Sequence, residues 1–333
     1  MPLLKARPDV ELVGIATPTQ RSQERVRANF NIGYATSDYL ELLKQRLDAV
    51  IISSPHGFHY QQAKASLEAG LHVLVEKPIC LHASEAWELV HLANRMHRVL
   101  MVPTGYHYRP IVLSAMSEMK KRAVGSVEYM LCHMGSALRP LYAGSPWPYS
   151  TPNVPNPKDY YSDPRVSGGG QGYSQLSHSV MLLLWLTGLR AVEVFAYMAA
   201  PSTKVELYDA IVAKFDNGSI ATISGAGAQT PFDSKHELDI RIFGNEGELR
   251  LDLYREWMEV RRNDRKDFSL ETRPGDGNYT CEGPLNLFID LIRGKATENL
   301  SPGDIAAKTI ELIETAYRSA SSGHPEVVSL STT

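Results

Sequence analysis

The chain has 333 residues, of which 43% are hydrophobic, and its 34 basic and 37 acidic residues give a net charge of -3. That length predicts two domains, and that composition is sufficient to build their cores. Because the charges nearly balance and no basic run occurs, the sequence argues against nucleic-acid partners and anionic membrane surfaces, and favours a small neutral or mildly charged ligand.

The three cysteines, Cys80, Cys132 and Cys281, lie far apart and form no C-x-x-C pair. They cannot make an even disulfide framework, so we expect a reducing compartment and a cytoplasmic protein. The longest apolar run, residues 180–186, is much shorter than the roughly 20 residues that span a bilayer. No membrane segment is therefore predicted, and the sequence suggests no metal site.

The first third of the chain alternates between short apolar strands and helices. The pattern predicts strands at 10–16, 48–53, 72–76 and 98–102, and helices near 21–29, 39–44, 60–69 and 83–96. Parallel strands joined by helical crossovers place ligands at the carboxyl ends of the strands. We therefore predict that residues 1–105 form a doubly wound, Rossmann-like sheet with a ligand site at those ends.

The first nine residues read as the last turn of a helix followed by a turn. In a dinucleotide-binding fold, a strand and a G-x-G-x-x-G turn come before that point, and the start of this sequence contains no such glycine motif. We expect that the natural reading frame extends upstream or that the chain has been shortened. Because the first strand is central in such sheets, its two neighbours should have unpaired edges.

After Gly105 the pattern becomes rich in strands. The sequence predicts strands at 126–134, 191–198, 209–215, 219–226, 237–244, 248–253 and 257–261, and helices at 171–186 and 302–321. A long loop at 138–170 is a candidate for covering the substrate or forming an interface. Residues 106–333 should therefore form an α/β domain with one large, mostly antiparallel open sheet, used for substrate binding and oligomerisation.

Five ordered sequence blocks carry a family resemblance. They are Ser54-Pro55-x-x-x-His59; Ala69-Gly70-x-His72-Val73-x-x-Glu76-Lys77-Pro78; Tyr108-Arg109-Pro110; Gly168-Gly-Gly with His178 and Trp185-Leu-x-Gly188; and Phe215-Asp-Asn-Gly218 with Phe243-Gly-x-Glu-Gly247. Together they resemble the Gfo/Idh/MocA family (glucose-fructose oxidoreductase, inositol dehydrogenase and rhizopine catabolism). The resemblance covers nearly the whole chain in order.

The resemblance implies an oxidoreductase that uses NAD or NADP. It also implies a polyhydroxylated small-molecule substrate, oxidised or reduced at a hydroxyl or keto carbon of a sugar, cyclitol or related polyol. We further expect a homodimer or homotetramer formed through the C-terminal sheet. A degenerate, non-catalytic member that binds a sugar-like ligand or a protein partner is the alternative, and a pure assembly protein is a third hypothesis.

Two residues carry the predicted chemistry. By resemblance, Lys77 lies near nicotinamide and substrate, in a turn that often has a cis peptide before Pro78, and His178 is the general acid/base. The alternatives are a solvated turn lysine and a buried helix histidine bonded to a backbone carbonyl. The family's common aspartate is replaced by Ser174, which could hydrogen-bond a substrate hydroxyl or the His178 ring. Without that carboxylate, we expect one dominant ionisation near the ordinary histidine value.

The predicted cofactor contacts come from three strand ends. The residues are Thr17, Arg21, Ser54, Pro55, His56, His59, Glu76 and Lys77. Thr17 stands where an acidic residue would bind the ribose of NAD, and Arg21 lies nearby, so the sequence leaves NAD and NADP open. His56 could instead belong to a surface turn, and Arg21 could be a solvated helix residue.

By resemblance, the predicted substrate contacts are Tyr106, Arg109, Ser174 and His178, and polyols favour such an aromatic surface together with polar hydrogen bonds. Five aromatic residues of the long loop are predicted to pack within that loop rather than bind a ligand. They are Tyr142, Trp147, Tyr149, Tyr160 and Tyr161.

Overall fold

The computed structural model describes residues 1–145, 158–228 and 236–329, so Trp147 and Tyr149 lie outside the described residues. The first part of the chain alternates helix and strand in the order α1 (Pro2–Lys5), β1 (Gly14–Ala16), α2 (Gln20–Phe30), β2 (Tyr34–Thr36), α3 (Tyr39–Leu43), β3 (Ala49–Ile52), α4 (His59–Glu68), β4 (His72–Val75), α5 (Ala83–Arg95) and β5 (Leu100–Met101). The predicted alternation is confirmed, with β2 as an addition.

Local sequence signals set these boundaries. The Thr19 side chain accepts a hydrogen bond from the Ser22 backbone at 3.2 Å and begins α2, and the Asp38 side chain caps α3 in the same way. Gly70, with a φ of 77°, follows α4 and allows the chain to reverse into β4. Strand β2 was not predicted because its three residues are too few to show a period.

The parallel sheet of this part is divided into two pieces. Strand β1 pairs with β2, and β3, β4 and β5 pair in that order. Among the described residues, no strand pairs with the second edge of β1 or of β3. The predicted pair of open edges is therefore present, and Ile51 on β3 is 40% exposed.

The second part of the chain follows a 3-10 turn at Gly105–Tyr108. Its elements are α6 (Pro110–Lys120), β6 (Val127–Gly135), α7 (Arg139–Tyr142), α8 (Lys158–Tyr161), α9 (Pro164–Ser167), α10 (Ser177–Thr187), β7 (Ala191–Ala199), β8 (Tyr208–Phe215), β9 (Ile220–Ala226), β10 (Glu237–Gly244), β11 (Gly247–Asp252), β12 (Trp257–Arg262), β13 (Phe268–Glu271), α11 (Glu282–Ile292), α12 (Gly303–Ser322) and β14 (Glu326–Val327).

These strands form one sheet, which confirms the predicted architecture. Its order in the described residues is β13-β12-β11-β10-β6-β9-β8-β7-β14, and every pair is antiparallel except β6 with β9. Strand β8 alternates strictly between exposed and buried residues, as expected for a sheet covered on one face. The core of that covered face continues into the core of the first domain.

Two helices connect the parts of the molecule. Helix α12 packs on β7, α10 and α5, and α11 returns to the first domain, where Phe288 contacts Leu74 and Met101. No helix in the described part of the chain has the length and apolarity needed to cross a bilayer.

The predicted helix at 171–186 differs in its first turn. A π-helical turn at Gly172–Leu176 comes before α10. The long loop also contains the three short helices α7, α8 and α9, each of four residues. Such elements are too short for hydrophobic periodicity to predict.

Candidate active site

Lys77 lies where β4 ends, in the Glu76-Lys77-Pro78 turn. The peptide bond between Lys77 and Pro78 is cis. The ammonium group donates a hydrogen bond of 2.5 Å to the backbone carbonyl of Ser174, which belongs to the second domain. Burial lowers the pKa of Lys77 to about 8, although the nearby Glu76 charge opposes this shift. The lysine is therefore half-buried at the junction of the two domains.

His178 lies in the first turn of α10, directly after the π-helical turn. Its ring is buried, and its Nδ1 atom has no hydrogen-bond partner among the described residues. Tyr106 and Tyr279 pack edge-on against the imidazole at centroid distances of 5.8 and 5.1 Å. Burial, and then the Lys77 charge, lower the pKa of His178 well below its ordinary value. The imidazole is thus neutral, with one free ring nitrogen.

The Lys77 charge also lowers the pKa of three other histidines around it: His56, His59 and His236. In each case burial is the larger cause. His236 lies immediately before β10, and the sequence did not single it out. No sequence motif predicts that His236 lies near Lys77, because only the folded sheet brings the start of β10 to the end of β4.

Ser174 does not have the contacts that the sequence suggested. Its side chain is buried, and its hydroxyl is hydrogen-bonded to the hydroxyl of Tyr142 rather than to the His178 ring. Its contact with the site is through the backbone carbonyl that accepts the hydrogen bond from Lys77. Tyr142 is fully buried in a small cluster of the long loop, in agreement with the predicted packing role.

His59 connects the two strand-end loops. Its Nδ1 lies 2.8 Å from the Pro78 carbonyl oxygen, and its Nε2 lies 2.7 Å from the Ser54 carbonyl oxygen. Both ring nitrogens therefore face backbone acceptors, and the residue is completely buried. Direct cofactor binding by His59 stays a prediction, whereas the contacts present hold the loops after β3 and β4 together.

The other residues of these two loops surround the same space. His56 is buried with Nδ1 3.0 Å from the Ser167 carbonyl oxygen, and burial lowers its pKa to about 3. Ser54 donates a hydrogen bond to Gln62, and Pro55 next to it is half-buried. Glu76 is also half-buried, and burial raises its pKa.

Two predicted cofactor residues lie farther along the sheet edge. Thr17 follows β1, where its backbone N–H donates to the Thr36 carbonyl at 2.9 Å, and Arg21 is exposed in the first turn of α2. Thr17 directly follows a strand of the two-stranded piece of the sheet, and Arg21 lies in the helix that connects its two strands. Their contact with a cofactor stays a prediction.

The two predicted substrate residues after β5 have different surroundings. Tyr106 is 4% exposed and packs against His178 and Tyr279. Arg109 instead donates hydrogen bonds to the backbone carbonyls of Gly275 and Asp276. Its guanidinium group is therefore used to hold that turn, and substrate binding by Arg109 stays a prediction.

Tyr279 is a site residue that the sequence reading missed. It is brought to His178 by the close approach of its chain segment to Gly105, where an added Cβ atom would lie 2.1 Å from the Thr280 carbonyl oxygen. The available signal was a lone aromatic residue in a polar loop, which is too weak to distinguish a site residue from a packing residue.

The neutral histidines make a testable contribution to acid stability. The folded-state pKa is about 3 for His56 and about 4 for His107, whereas an unfolded histidine titrates near ~6.5. Below pH ~6.5 the unfolded chain gains protons that the folded chain does not bind, so stability falls as the pH falls. Each such histidine should contribute about 1.4 kcal/mol per pH unit between pH ~6 and the folded-state value.

Urea unfolding of the unliganded protein at pH 7.5 and at pH 5 would measure this loss. His56→Asn should make the pH dependence shallower by about one proton, whereas the exposed His97→Asn serves as the control. Equal free energies of unfolding at the two pH values would contradict the assignment.

The site and the fold define the class of protein to which the chain belongs. The junction of a parallel α/β domain and an open-sheet domain holds a lysine and a histidine, as in oxidoreductases that bind a nicotinamide cofactor. Residues 1–104 match the family described as "Oxidoreductase family, NAD-binding Rossmann fold", and residues 138–250 match the GFO/IDH/MocA C-terminal domain. The two matches cover well over half of the chain, which belongs to the Gfo/Idh/MocA family.

One curated relative is the 1-carboxy-3-chloro-3,4-dihydroxycyclo hexa-1,5-diene dehydrogenase of Comamonas testosteroni, which is 26% identical over 230 residues. The match covers 66% of this chain and 52% of that protein, so the chain spans about half the length of this relative.

Solved structures share the fold over nearly all of the chain. GenD2 from gentamicin A biosynthesis, in complex with NAD, has a TM-score of 0.78 at 22% identity, covering 98% of this chain and 92% of that one. Levoglucosan dehydrogenase, in complex with NADH and levoglucosan, has a TM-score of 0.76 at 17% identity, covering 95% and 90%.

The residues at the domain junction fit the reacting end of a nicotinamide dinucleotide. The neutral His178 ring and the Lys77 ammonium are a suitable pair for that end.

Proposed function

We propose that the protein is an NAD(P)-dependent dehydrogenase or reductase that acts on a hydroxyl or keto carbon of a sugar, cyclitol or related polyol. The observation that carries the proposal is a lysine with a pKa of about 8 whose charge lowers the pKa of a neutral histidine at the domain junction. The names of the relatives, which include a dihydroxy-diene dehydrogenase and levoglucosan dehydrogenase, support the substrate class.

In the oxidation direction, the neutral His178 ring accepts the proton of the substrate hydroxyl. The Lys77 ammonium stabilises the negative charge that develops on the same oxygen. The negative charge on the substrate oxygen also offsets the repulsion between a protonated His178 and Lys77. The pKa of His178 therefore rises while that negative charge develops. A bound nicotinamide supplies the hydride acceptor, and the reverse reaction exchanges the proton roles.

The first test is a fluorescence titration with NADH and with NADPH, followed by a panel of polyols and their oxidised forms. Saturable binding of either cofactor and oxidation of at least one polyol support the proposal. His178→Asn should retain cofactor binding and lose turnover. A protein that binds polyols but neither cofactor would contradict the proposal and favour the non-catalytic alternative.

The proposal and the non-catalytic alternative differ in the cofactor titration, because the lysine and histidine are compatible with either.

The pH dependence of activity should reflect the ionisation of Lys77 rather than that of a histidine with an ordinary pKa. The ammonium form is present below its pKa of about 8 and is lost as the pH rises through that value. We therefore expect kcat/KM to fall above pH ~8. Lys77→Arg should move this limb to higher pH because guanidinium groups stay charged, whereas an unchanged limb would assign the ionisation to another group.

We also propose that the uncovered face of the large sheet forms a homodimer or homotetramer interface. Tyr197 is 70% exposed, Val212 is 49% exposed and Ile220 is 44% exposed on neighbouring strands of this sheet. Light scattering of the purified protein would test the assembly, and Val212→Lys should dissociate it.

A further inference from the structure

The carboxylate of Glu206 lies beneath the glycine-rich segment that leads to His178. It accepts hydrogen bonds from the backbone N–H groups of Gly170 and Gly172 at 2.9 Å, and from the Tyr317 hydroxyl at 2.5 Å. Glu206 is only 7% exposed. These donors satisfy a buried carboxylate, and such charge-assisted bonds are stronger than neutral ones.

The same contacts explain two of the glycines. A Cβ atom added at Gly170 would lie 2.0 Å from the Glu206 carbonyl oxygen, and one added at Gly169 would lie 2.0 Å from the Tyr317 hydroxyl oxygen. The backbone therefore approaches Glu206 and Tyr317 so closely that a side chain does not fit. This close approach lets the two N–H groups reach the carboxylate.

The held segment carries the carbonyl that accepts the Lys77 hydrogen bond and the histidine whose pKa the Lys77 charge lowers. The Ser174 backbone N–H donates to the Gly170 carbonyl at 3.0 Å, and the Ser174 carbonyl in turn accepts the Lys77 hydrogen bond. His178 follows one turn later, in α10. A shift of the Gly170 backbone would thus move the lysine's acceptor.

We infer that Glu206 is a positioning residue, which holds residues 170–178 so that the Ser174 carbonyl fixes the Lys77 ammonium beside His178. The catalytic meaning of this placement rests on the proposed function, whereas the placement itself can be tested on the unliganded protein. Glu206 touches neither reacting group and acts through the backbone of the segment.

Asp209 provides a matched control. It is also buried, and both of its carboxyl oxygens lack a hydrogen-bond partner among the described residues. Burial and the Glu206 charge raise the pKa of Asp209 well above its ordinary value. Asp209→Asn changes a buried carboxyl group of the same region without removing a hydrogen bond to the glycine-rich segment, while Glu206→Gln replaces an acceptor with a donor that faces N–H groups.

The test uses four proteins: the wild type, Glu206→Gln, Glu206→Asp and Asp209→Asn. Hydrogen–deuterium exchange of the unliganded proteins measures protection of residues 168–178. A pH titration with 13Cε-labelled lysine, with the Lys77 signal assigned by its loss in Lys77→Met, measures the ionisation midpoint of Lys77. The second readout would not respond to a general loss of stability.

We expect both Glu206 variants to exchange at least about tenfold faster over this segment. We also expect them to lower the Lys77 midpoint by about half a unit to one unit, because the ammonium loses its acceptor. Asp209→Asn should match the wild type in both readouts. Glu206→Asp keeps the negative charge. A shift of the Lys77 midpoint in Glu206→Gln but not in Glu206→Asp would therefore reflect the lost charge and would overturn the inference.

A lower melting temperature with unchanged exchange and an unchanged Lys77 midpoint would also overturn the inference, because Glu206 would then be only a structural residue. The inference stands if the segment loosens and the Lys77 midpoint falls in both Glu206 variants. This result would hold even if wild-type protein failed to oxidise any polyol, in which case the proposed function alone would be wrong.

Discussion

Lys77→Ala is expected to lower turnover on the true substrate by about 100-fold or more, because loss of one donor to a developing oxyanion typically has an effect of that size. The ammonium is half-buried at the domain junction and donates a hydrogen bond to the Ser174 carbonyl, which holds it in place. Steady-state kinetics at pH 7 would measure the change in kcat and in KM.

Lys120→Ala is a suitable comparison, since that lysine is 63% exposed and pairs with Glu298 on the surface. Circular dichroism should show an intact fold for both variants. If Lys77→Ala retains more than about half of the wild-type activity, Lys77 is a solvated turn residue and the proposed mechanism is wrong.

The largest expected loss of stability is at Glu311. Its side chain is 1% exposed, pairs with Arg190 and accepts a hydrogen bond from the Trp87 indole at 2.7 Å. The Arg190 guanidinium also packs over the Trp87 ring, 5.1 Å from its centroid. Because Glu311→Ala would leave the arginine without its buried partner, we expect the free energy of unfolding to fall by about 3 kcal/mol.

Chemical unfolding of Glu311→Ala beside Glu298→Ala would test this expectation. Glu298 is 68% exposed, and removal of such a surface pair should change stability by less than about 1 kcal/mol. Similar losses in the two variants would show that the Glu311 contacts do not stabilise the junction of α5, α12 and the start of β7.

Much of the fold was accessible from sequence because the signals were local. The run 72–78 ends an apolar strand in Glu-Lys-Pro, and this pattern correctly located β4. Strand β8 begins one residue before the predicted strand at 209–215 and ends with it. The missed strand β2 and helix α7 have three and four residues and are too short for any period to be visible, but the eleven-residue helices α6 and α11 were missed as well.

The candidate site was less accessible, since its environment depends on contacts between distant segments. The motif predicted Lys77 and His178, but the low pKa of His178 results from burial and from the Lys77 charge, which no local pattern contains. His236 and Glu206 lie in the segments just before β10 and β8, which only the folded large sheet brings to this region. Ser174 contacts Lys77 through its backbone carbonyl rather than through its hydroxyl. The residue type alone does not show which of the two groups makes the contact.

The parallel pairing of β6 with β9 in the large sheet has a consequence for how the domain assembles. Strands β7, β8 and β9 form one run of neighbours and β10 to β13 another, whereas β6 joins the two runs from a position about ninety residues earlier than β9. Within each run, strands that follow one another in the sequence can pair first, but the pairing of β6 with β9 requires closure of a long loop. The domain should therefore fold as two fast units followed by a slow joining step, and β6 should be the strand that sets the rate.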